Sequence, residues 1–375
     1  MITGGGTGGH IFPGIAIADA IEKLDPGTDV FFMGRRGSIE ERVVTRTGRP
    51  FVPVPAMGVA RGIEARNAAV PFVVAAGYVR ALGSLAVRRP RVAVGTGGFI
   101  SVPPILAART LGVPVVLQEQ NSWPGLATRI LSRFASSVHV SFEDTAKHLP
   151  RAREVVLSGN PVRAGLTTMD RAEARRSLGL SQDARVVFCV GGSRGAGRIN
   201  RAVSGAARDF ARSGVELVVQ TGRDDLDAVR RALQAAGARA VVEAFFDEVG
   251  VAYAASDLVV SRAGATAIAE IAILGKPSVL VPYPHATEAH QMKNARAVER
   301  AGAAVVIADE ALTGETLALK VRTLFEAPSV LASMADAARG LARPDAAFRV
   351  ARAALALAER RGHGSAGSPA GGSAA

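Results

Sequence analysis

Short apolar runs alternate with longer amphipathic stretches along most of this chain. In the first half, β-branched and aromatic residues cluster at positions 30–33, 92–94, 113–117 and 137–140. Runs of this length, separated by helical patterns, are typical of parallel strands in an α/β sheet. We therefore predict an α/β fold for the first half of the chain.

The same alternation restarts in the second half, with apolar runs at residues 186–190, 215–220, 240–243, 258–260, 278–281 and 304–307. A break is expected near Gly159-Asn160-Pro161, because proline restricts the residue before it and glycine permits a hinge. The pattern predicts two Rossmann-like domains, residues 1–160 and 161–344, each with a parallel sheet. A helix is expected at about residues 346–360, after Pro344, and a disordered tail at 361–375.

Composition agrees with two domains and excludes a disulfide scaffold. A chain of 375 residues with 48% hydrophobic content is too long for one ordinary core. The single cysteine, Cys189, falls in an apolar run, which favours a buried thiol over a reactive one. Met1-Ile2-Thr3 leads directly into glycines, so no signal peptide is expected. No uninterrupted apolar run reaches the roughly 20 residues that span a bilayer, which predicts a cytoplasmic protein or one peripheral to a membrane.

The formal net charge of +12 indicates attraction to polyanions. Charge alone does not choose between nucleic acid, anionic lipid and a phosphorylated substrate. Nucleic acid is the least favoured partner, because one Trp and three Tyr offer little stacking surface and no recognised binding motif accompanies the arginines.

The first candidate site is Gly4-Gly5-Gly6-Thr7-Gly8-Gly9-His10, which we call the His10 turn, followed by a helical pattern. Glycines let backbone amides approach an anion, and a helix N-terminus adds a partial positive charge of about half a unit. The spacing is neither the dinucleotide-binding pattern nor a P-loop. A phosphate site is predicted, although a tight strand-to-helix turn without a ligand fits the same residues.

His10 closes this turn. Histidine titrates close to neutral pH, so His10 is suited to accept a proton from an attacking sugar hydroxyl. A helix N-cap or a structural histidine is the alternative.

Three further turns follow apolar strands. They are the Gly97 turn (residues 95–98), the Gly191 turn (residues 191–196) and the Gly264 turn (residues 261–270). Ligands of open α/β sheets bind outside the carboxyl ends of strands, so turns from both halves are expected to face one deep interdomain cleft. In the Gly264 turn, backbone amides suit a diphosphate and Glu270 suits ribose hydroxyls. A surface helix with a solvated glutamate is the alternative.

Metal ligation is not favoured by the remaining polar segments. His285 and His290 are five residues apart rather than the four of a helical zinc pair. Asp225-Leu226-Asp227 matches the D-x-D of metal-dependent transferases, but acidic residues at this point also complement a helix N-terminus. We interpret it as a helix start.

Residues 70–87 form an apolar stretch interrupted mainly by Arg80. If one face packs on the sheet, the other exposes Phe72 and Val79 within a rim of arginines, as in proteins that sit on anionic lipid. The rim consists of Arg61, Arg66, Arg88, Arg89 and Arg91. A helix buried on all sides is the alternative.

Taken in order, these segments resemble the peptidoglycan glycosyltransferases that add N-acetylglucosamine to undecaprenyl-diphosphate-muramyl-pentapeptide, converting lipid I to lipid II. The resemblance rests on residues 4–14, 95–99, 118–121 (Gln-Glu-Gln-Asn), 159–163, 191–196, 262–270 and 290–295. It implies a GT-B fold in which the C-terminal helix packs back on the N-terminal domain. It also implies an inverting, metal-independent reaction without a cofactor, at the cytoplasmic face of the membrane, in cell-wall synthesis, cell shape and cell division.

The resemblance also assigns roles to residues. It makes His10 the candidate general base and places Thr7, Gly8 and Gly9 at the cleft. Asn121 and Gln291 would hold the donor sugar, Glu270 the ribose, and the backbone of Phe246 the uracil. The other residues assigned to the donor and its phosphates are Arg163, Ser193, Gly264, Ala265, Thr266, Ala267, Ile268 and Ala269.

The acceptor side follows from a comparison of the turns: because the Gly264 turn is the better site for UDP, we assign the His10 turn chiefly to the acceptor. We assign the acceptor diphosphate to Gly5, Gly6, Gly97 and Gly98, and expect UDP-N-acetylglucosamine, lipid I, an anionic membrane surface and cell-wall synthesis proteins as partners. Two departures stand out. Ala267 replaces a threonine of some relatives, with Thr266 or backbone amides as substitutes, and only Met1 to Thr3 precede the glycines as a first strand.

Overall fold

The computed structural model describes residues 1–58, 65–162, 166, 169–191 and 195–366, with the side chains of residues 65, 66 and 362–366 left out. The chain forms two compact units. Unit 1 contains Met1–Arg163 together with the chain from Pro344 onward, and unit 2 contains Ala164–Arg343. Each unit has its own parallel sheet.

Unit 1 is built around a parallel sheet with strand order β3-β2-β1-β4-β5-β6-β7. Its strands are β1 (Ile2–Thr3), β2 (Phe32–Gly34), β3 (Phe51–Pro53), β4 (Ala93–Gly95), β5 (Val115–Glu119), β6 (Ser137–Val140) and β7 (Val155–Leu157). Its helices, before the C-terminal one, are α1 (Gly8–Leu24), α2 (Ile39–Thr45), α3 (Val70–Arg88), α4 (Val102–Thr110) and α5 (Leu126–Leu131). Strand order reverses between β1 and β4, so the turns that follow these two strands lie side by side.

Unit 2 repeats the plan with strand order β10-β9-β8-β11-β12-β13. Its strands are β8 (Arg185–Val190), β9 (Val215–Gln220), β10 (Ala240–Glu243), β11 (Leu258–Ser261), β12 (Ser278–Leu280) and β13 (Ala304–Val306). Its helices are α6 (Arg171–Ser177), α7 (Gly197–Ser213), α8 (Leu226–Ala235), α9 (Val249–Ala255), α10 (Ala265–Ile273), α11 (His290–Arg300), α12 (Gly314–Phe325) and α13 (Pro328–Leu341). The switch point lies between β8 and β11.

The final helix, α14 (Ala346–Ala366), belongs to unit 1 rather than to the unit that precedes it in the chain. Val350, Ala351 and Ala354 are fully buried and share an apolar cluster with Ile17 of α1 and Val116 of β5. Burying such side chains contributes about 25 cal/mol for each Å² of apolar surface. The α14 contact therefore fixes the end of the chain on unit 1.

The predicted α/β fold is confirmed, with differences at the edges of the sheets. Every apolar run that we interpreted as a strand contains one, but β3 and β7 were not predicted. Both are three-residue strands, and Pro53 lies in β3, which is tolerated because β3 is an edge strand. The predicted burial of Cys189 is also confirmed, and desolvation raises the pKa of its thiol to about 12.

Helix α3 corrects one expectation. By length and composition the segment Asn67–Arg88 is apolar enough to cross a membrane, with a mean hydropathy of 1.6, so the prediction that no segment is long enough is wrong on this criterion. In the structure the helix packs along one side only: Gly77, Ala81 and Leu85 are buried in unit 1. Phe72 and Val79 are 77% and 66% exposed, so the alternative of a fully buried helix is excluded.

Candidate active site

The His10 turn follows β1 and packs against the Gly97 turn, which follows β4. The Gly5 amide donates to the Gly97 carbonyl at 3.3 Å. The Thr96 hydroxyl donates to the His10 carbonyl at 2.8 Å. Because β1 and β4 are neighbours in the sheet, the structure brings these two sequence-predicted turns together into one site.

The Gly97 turn requires glycine because of its backbone conformation and its close packing against the His10 turn. Gly97 and Gly98 have φ angles of +97° and +79°, a region that other residues rarely adopt. A Cβ on Gly97 would lie 2.9 Å from His10 Nδ1, and one on Gly98 would overlap the Gly5 carbonyl oxygen. These glycines therefore make room for the His10 ring and for the His10 turn. Their assignment to an acceptor diphosphate stays a prediction.

A buried carboxylate lies beneath the His10 turn, which sequence reasoning did not find. Glu40 in α2 is 1% exposed, and its Oε2 accepts from the Gly6 amide at 3.3 Å. Its other oxygen accepts from the Arg35 amide at 3.3 Å. The Gly5 and Gly6 amides are thus engaged within the protein. The first helical amides, at Gly8 and Gly9, have no partner within helix α1 and suit an anion better.

His10 is the third residue of α1 and is half-buried. The helix N-cap is Thr7, so the alternative of His10 as an N-cap is excluded. The His10 Nδ1 lies 2.8 Å from Oε1 of Gln120, the residue that follows β5. The sequence indicated Gln120 only as part of a family motif, because its contact with His10 spans more than a hundred residues of chain.

Asn121 lies next to Gln120 and is fixed by a buried carboxylate. Glu119 is 2% exposed, and its Oε1 accepts from both the backbone amide and the side-chain amide of Asn121, at 3.0 and 3.2 Å. Its Oε2 accepts from the Gly125 amide at 3.1 Å. Glu119 therefore determines where the Asn121 side chain lies, a role that only the folded loop reveals.

In unit 2, the Gly264 turn connects β11 to α10. Gly264 is the N-cap residue, and the first bond inside the helix is donated by Ile268 to the Gly264 carbonyl at 3.0 Å. The amides of Ala265, Thr266 and Ala267 therefore point out of the helix end, whereas Ile268 and Ala269 lie one turn deeper. The Thr266 hydroxyl is buried and has no hydrogen-bond partner among the described residues. The N-terminus of α10 therefore has hydrogen-bond donors that are not used within the helix.

Glu270 is not a solvated surface residue, so that alternative is excluded. It is 7% exposed, and its Oε2 accepts from the Tyr253 hydroxyl at 3.2 Å. Tyr253 is itself buried and packs edge-on against Phe188. The Phe246 amide donates to Gln220 Oε1 at 3.1 Å, so this amide is engaged within the protein, and the assignment of the Phe246 backbone to uracil stays a prediction. Sequence reasoning missed both Tyr253 and Gln220.

Gln291 follows a loop with unusual backbone geometry. Glu288 and Ala289 have φ angles of +51° and +52°, which are strained for residues with a Cβ and are often found at functional sites. The Gln291 Oε1 accepts from the Tyr283 amide at 2.9 Å. This bond fixes the side chain at the start of α11.

The remaining predictions concern the Asp225 segment, metal ligation and several residues that the structure does not describe. Asp225 is the N-cap residue of α8 and its carboxylate accepts from Asn200 Nδ2 at 2.7 Å, so the helix-start interpretation is confirmed. Within the described ranges, no group of three or more His, Cys, Asp or Glu side chains is arranged to hold a metal ion. Arg61, Arg163, Ser193, the side chain of Arg66 and the chain after residue 366 lie outside the described residues.

Two parallel-sheet units that both match domain models of a glycosyltransferase family identify a glycosyltransferase of the GT-B class. The N-terminal and C-terminal domain models of glycosyltransferase family 28 match residues 1–140 and 186–350. The chain belongs to this family.

The chain is similar to curated relatives and to solved structures over nearly its full length. The chain is 41% identical over 353 residues to the UDP-N-acetylglucosamine–N-acetylmuramyl-(pentapeptide) pyrophosphoryl-undecaprenol N-acetylglucosamine transferase of Desulforudis audaxviator, covering 92% of this chain and 95% of that protein. The protein of the same name from Salinibacter ruber is 42% identical, covering 96% and 97%. The crystal structure of Acinetobacter baumannii MurG is 28% identical with a TM-score of 0.78, covering 95% and 98%.

Proposed function

We propose that this enzyme transfers N-acetylglucosamine from UDP-N-acetylglucosamine to undecaprenyl-diphosphate-N-acetylmuramyl-pentapeptide, forming lipid II in peptidoglycan synthesis. The observation that carries this proposal is the similarity to relatives of that name, at 41% and 42% identity over more than nine-tenths of each chain. The site residues of both units supply chemistry that fits the two substrates.

The donor fits the Gly264 turn. The outward amides of Ala265 to Ala267 and the partial positive charge of the α10 N-terminus suit the diphosphate of UDP. The Thr266 hydroxyl, which has no partner among the residues that the structure describes, adds a donor close to the position where Ala267 lacks one. Glu270, held by Tyr253, suits the ribose hydroxyls. Charge that develops on the departing UDP is thus met by preorganised dipoles.

The acceptor fits the His10 turn. His10 removes the proton from the C4 hydroxyl of the muramyl sugar as that oxygen attacks the anomeric carbon and the bond to UDP breaks. One displacement inverts the configuration and gives a β-1,4 link. General base catalysis of this kind contributes about 10²- to 10⁴-fold in rate.

The proposal is tested by measuring UDP release from UDP-N-acetylglucosamine with and without a lipid I analogue. Release that requires the analogue, with lipid II as the product, is expected. Release at the same rate without the analogue would indicate a hydrolase, and a different sugar-linked product would indicate another acceptor.

We further propose that the exposed face of α3 lies against the anionic cytoplasmic surface of the cell membrane. Phe72, Val79 and Val87 are 77%, 66% and 84% exposed on this helix. Exposed arginines surround them, at Arg80, Arg88, Arg89 and Arg91. Apolar side chains within a basic rim are typical of proteins that bind anionic lipid in the plane of the interface.

Sedimentation with anionic phospholipid vesicles tests this face. Arg89→Glu combined with Arg91→Glu should reduce vesicle binding and leave activity on a water-soluble acceptor unchanged. Arg88 is retained, because its guanidinium packs over the Phe31 ring. Arg208→Glu with Arg231→Glu, an equal charge change at exposed positions of unit 2, is the control. Equal loss of binding in both double variants would show only a general effect of net charge.

A further inference from the structure

The orientation of the Gln120 amide is determined by its surroundings. Its Nε2 lies 2.8 Å from the Thr96 carbonyl oxygen and 3.3 Å from that of Gln118, and also donates to the Gln118 side-chain oxygen. Backbone carbonyls only accept hydrogen bonds, so the NH₂ group must face them. The Gln120 Oε1 therefore faces His10 Nδ1, at 2.8 Å.

The hydrogen bonds beyond Gln120 run in the same donor-to-acceptor direction. The Gln118 Nε2 donates to Ser141 Oγ at 3.4 Å, and the Ser141 hydroxyl donates to the Glu119 carbonyl at 3.0 Å. Gln118 and Gln120 are 0% and 2% exposed. Every donor in this chain of bonds points away from His10, and the chain ends at a backbone carbonyl. Reversing it would bring acceptor against acceptor in a buried site, which is costly.

An acceptor fixed against Nδ1 decides which nitrogen of His10 carries hydrogen. We infer that Gln120 is a positioning residue that holds neutral His10 as the Nδ1–H tautomer, so that Nε2 carries the lone pair. This inference rests on the proposed function for one point only: Nε2 is then the atom that takes the proton of the acceptor hydroxyl. Among the described residues, no hydrogen-bond partner lies on Nε2.

The surrounding turn keeps the ring in this place. The Thr96 hydroxyl holds the His10 carbonyl, and Gly97 packs directly beside Nδ1. The side chains of the bonded chain, Gln120, Gln118 and Ser141, are all neutral. They select a tautomer without placing a carboxylate against the ring. In the transfer step the hydroxyl proton moves to Nε2, and the imidazolium later returns it to solvent.

The tautomer is measured directly by long-range ¹H–¹⁵N correlation spectra of protein labelled at histidine. The chain contains six histidines, and the His10 signals are those lost in His10→Ala. We expect a protonated Nδ1 and a lone-pair Nε2, the reverse of the tautomer that an unconstrained histidine prefers in water. A His10 spectrum with hydrogen on Nε2 would overturn the inference.

Gln120→Met supplies the second arm, since it keeps length and volume but removes the amide. We expect the His10 spectrum to change to the Nε2–H form and kcat to fall by at least about tenfold, because a wrongly protonated catalytic histidine is a poor base. The KM for UDP-N-acetylglucosamine should stay within about twofold. Gln234→Met, the same change at an exposed position of α8, is the control.

The outcomes separate this inference from the proposed function. If Gln120→Met keeps the Nδ1–H tautomer, Gln120 is not the positioning residue. If the wild-type spectrum shows Nδ1–H but His10→Ala transfers sugar at the normal rate, the base assignment fails and the tautomer result stands. The wild-type spectrum decides the tautomer even if Gln120→Met does not fold.

Discussion

The His10 turn and the Gly264 turn look alike in sequence, since each takes a strand of a parallel sheet into a helix through glycine. In the structure both turns leave the first amides of their helix without a partner inside that helix, but the residues before the helix differ. The His10 turn uses its own amides, at Gly5 and Gly6, to bind Gly97 and Glu40, and the neighbouring glycines accommodate an imidazole. The Gly264 turn holds a Thr266 hydroxyl that has no partner in the described ranges of the chain.

This difference shows that the missing Cβ of a glycine in such a turn can leave space either for a neighbouring part of the protein or for a ligand. Where a Cβ would strike another part of the protein, as at Gly97, the glycine is explained by packing. Where no atom of the described residues lies within 4 Å of the Cβ position, as at Gly264, the space is available for a ligand. We therefore interpret unit 1 as the place where a base is held and unit 2 as the place where a diphosphate is bound.

The largest expected effect is that of His10→Ala. The rate of sugar transfer should fall by about 10²-fold or more, because general base catalysis is lost, while UDP affinity is retained. Steady-state kinetics with a lipid I analogue and a UDP titration measure the two quantities. An unchanged rate would remove His10 from the mechanism.

Glu270→Gln should act on the donor instead. Removing the charge from a buried acceptor of ribose hydroxyls weakens hydrogen bonds of about 1.5–3 kcal/mol each, so KM for UDP-N-acetylglucosamine should rise by about tenfold or more. Glu315→Gln, at an exposed position of α12, controls for the charge change. Equal KM values for Glu270→Gln and the wild type would contradict the ribose assignment.

Gly97→Ala tests whether the Gly97 turn serves His10. The added methyl lies 2.9 Å from His10 Nδ1, so we expect kcat to fall by about tenfold as the ring is displaced. Gly112→Ala is the matched control, because Gly112 also has a positive φ, +65°, but no atom of the described chain lies within 4 Å of its Cβ position. Both variants should lose roughly 1–3 kcal/mol of stability from backbone strain. If kcat falls equally in both, the effect is strain alone.

Thr266→Val should give the smallest effect, and its sign on stability is informative. The hydroxyl has no hydrogen-bond partner within the described part of the chain, so the thermal midpoint should stay the same or rise. Loss of one hydroxyl donor to the diphosphate should raise KM for UDP-N-acetylglucosamine by only about threefold to tenfold, because the outward amides of Ala265 to Ala267 still donate. A lowered thermal midpoint with unchanged KM would mean that the hydroxyl is structural.

The two-sheet architecture could be predicted from sequence because buried strands carry a strong local pattern. The edge strands β3 and β7 could not, since three residues next to proline or at a sheet margin give little periodicity. The C-terminal helix was visible as a helix, but its packing on α1 depends on contacts far apart in the chain.

The site residues also divide into those that could be predicted from the sequence and those that could not. The glycine turns, His10 and Glu270 stand out because their residue types and positions after strands indicate chemistry. Glu40, Gln120 and Tyr253 do not, because the contact that gives each its place in the site is with a residue elsewhere in the sequence: the Gly6 amide, the His10 ring and the Glu270 carboxylate. Tertiary contacts of this kind follow only from the fold.

The central claim is that the His10 turn holds the base and the Gly264 turn binds UDP. It is tested most directly by calorimetric titration of UDP into the wild-type protein, His10→Ala and Glu270→Gln. We predict the same dissociation constant for His10→Ala as for the wild type, and binding about tenfold or more weaker for Glu270→Gln. Weakened UDP binding in His10→Ala together with normal binding in Glu270→Gln would contradict it.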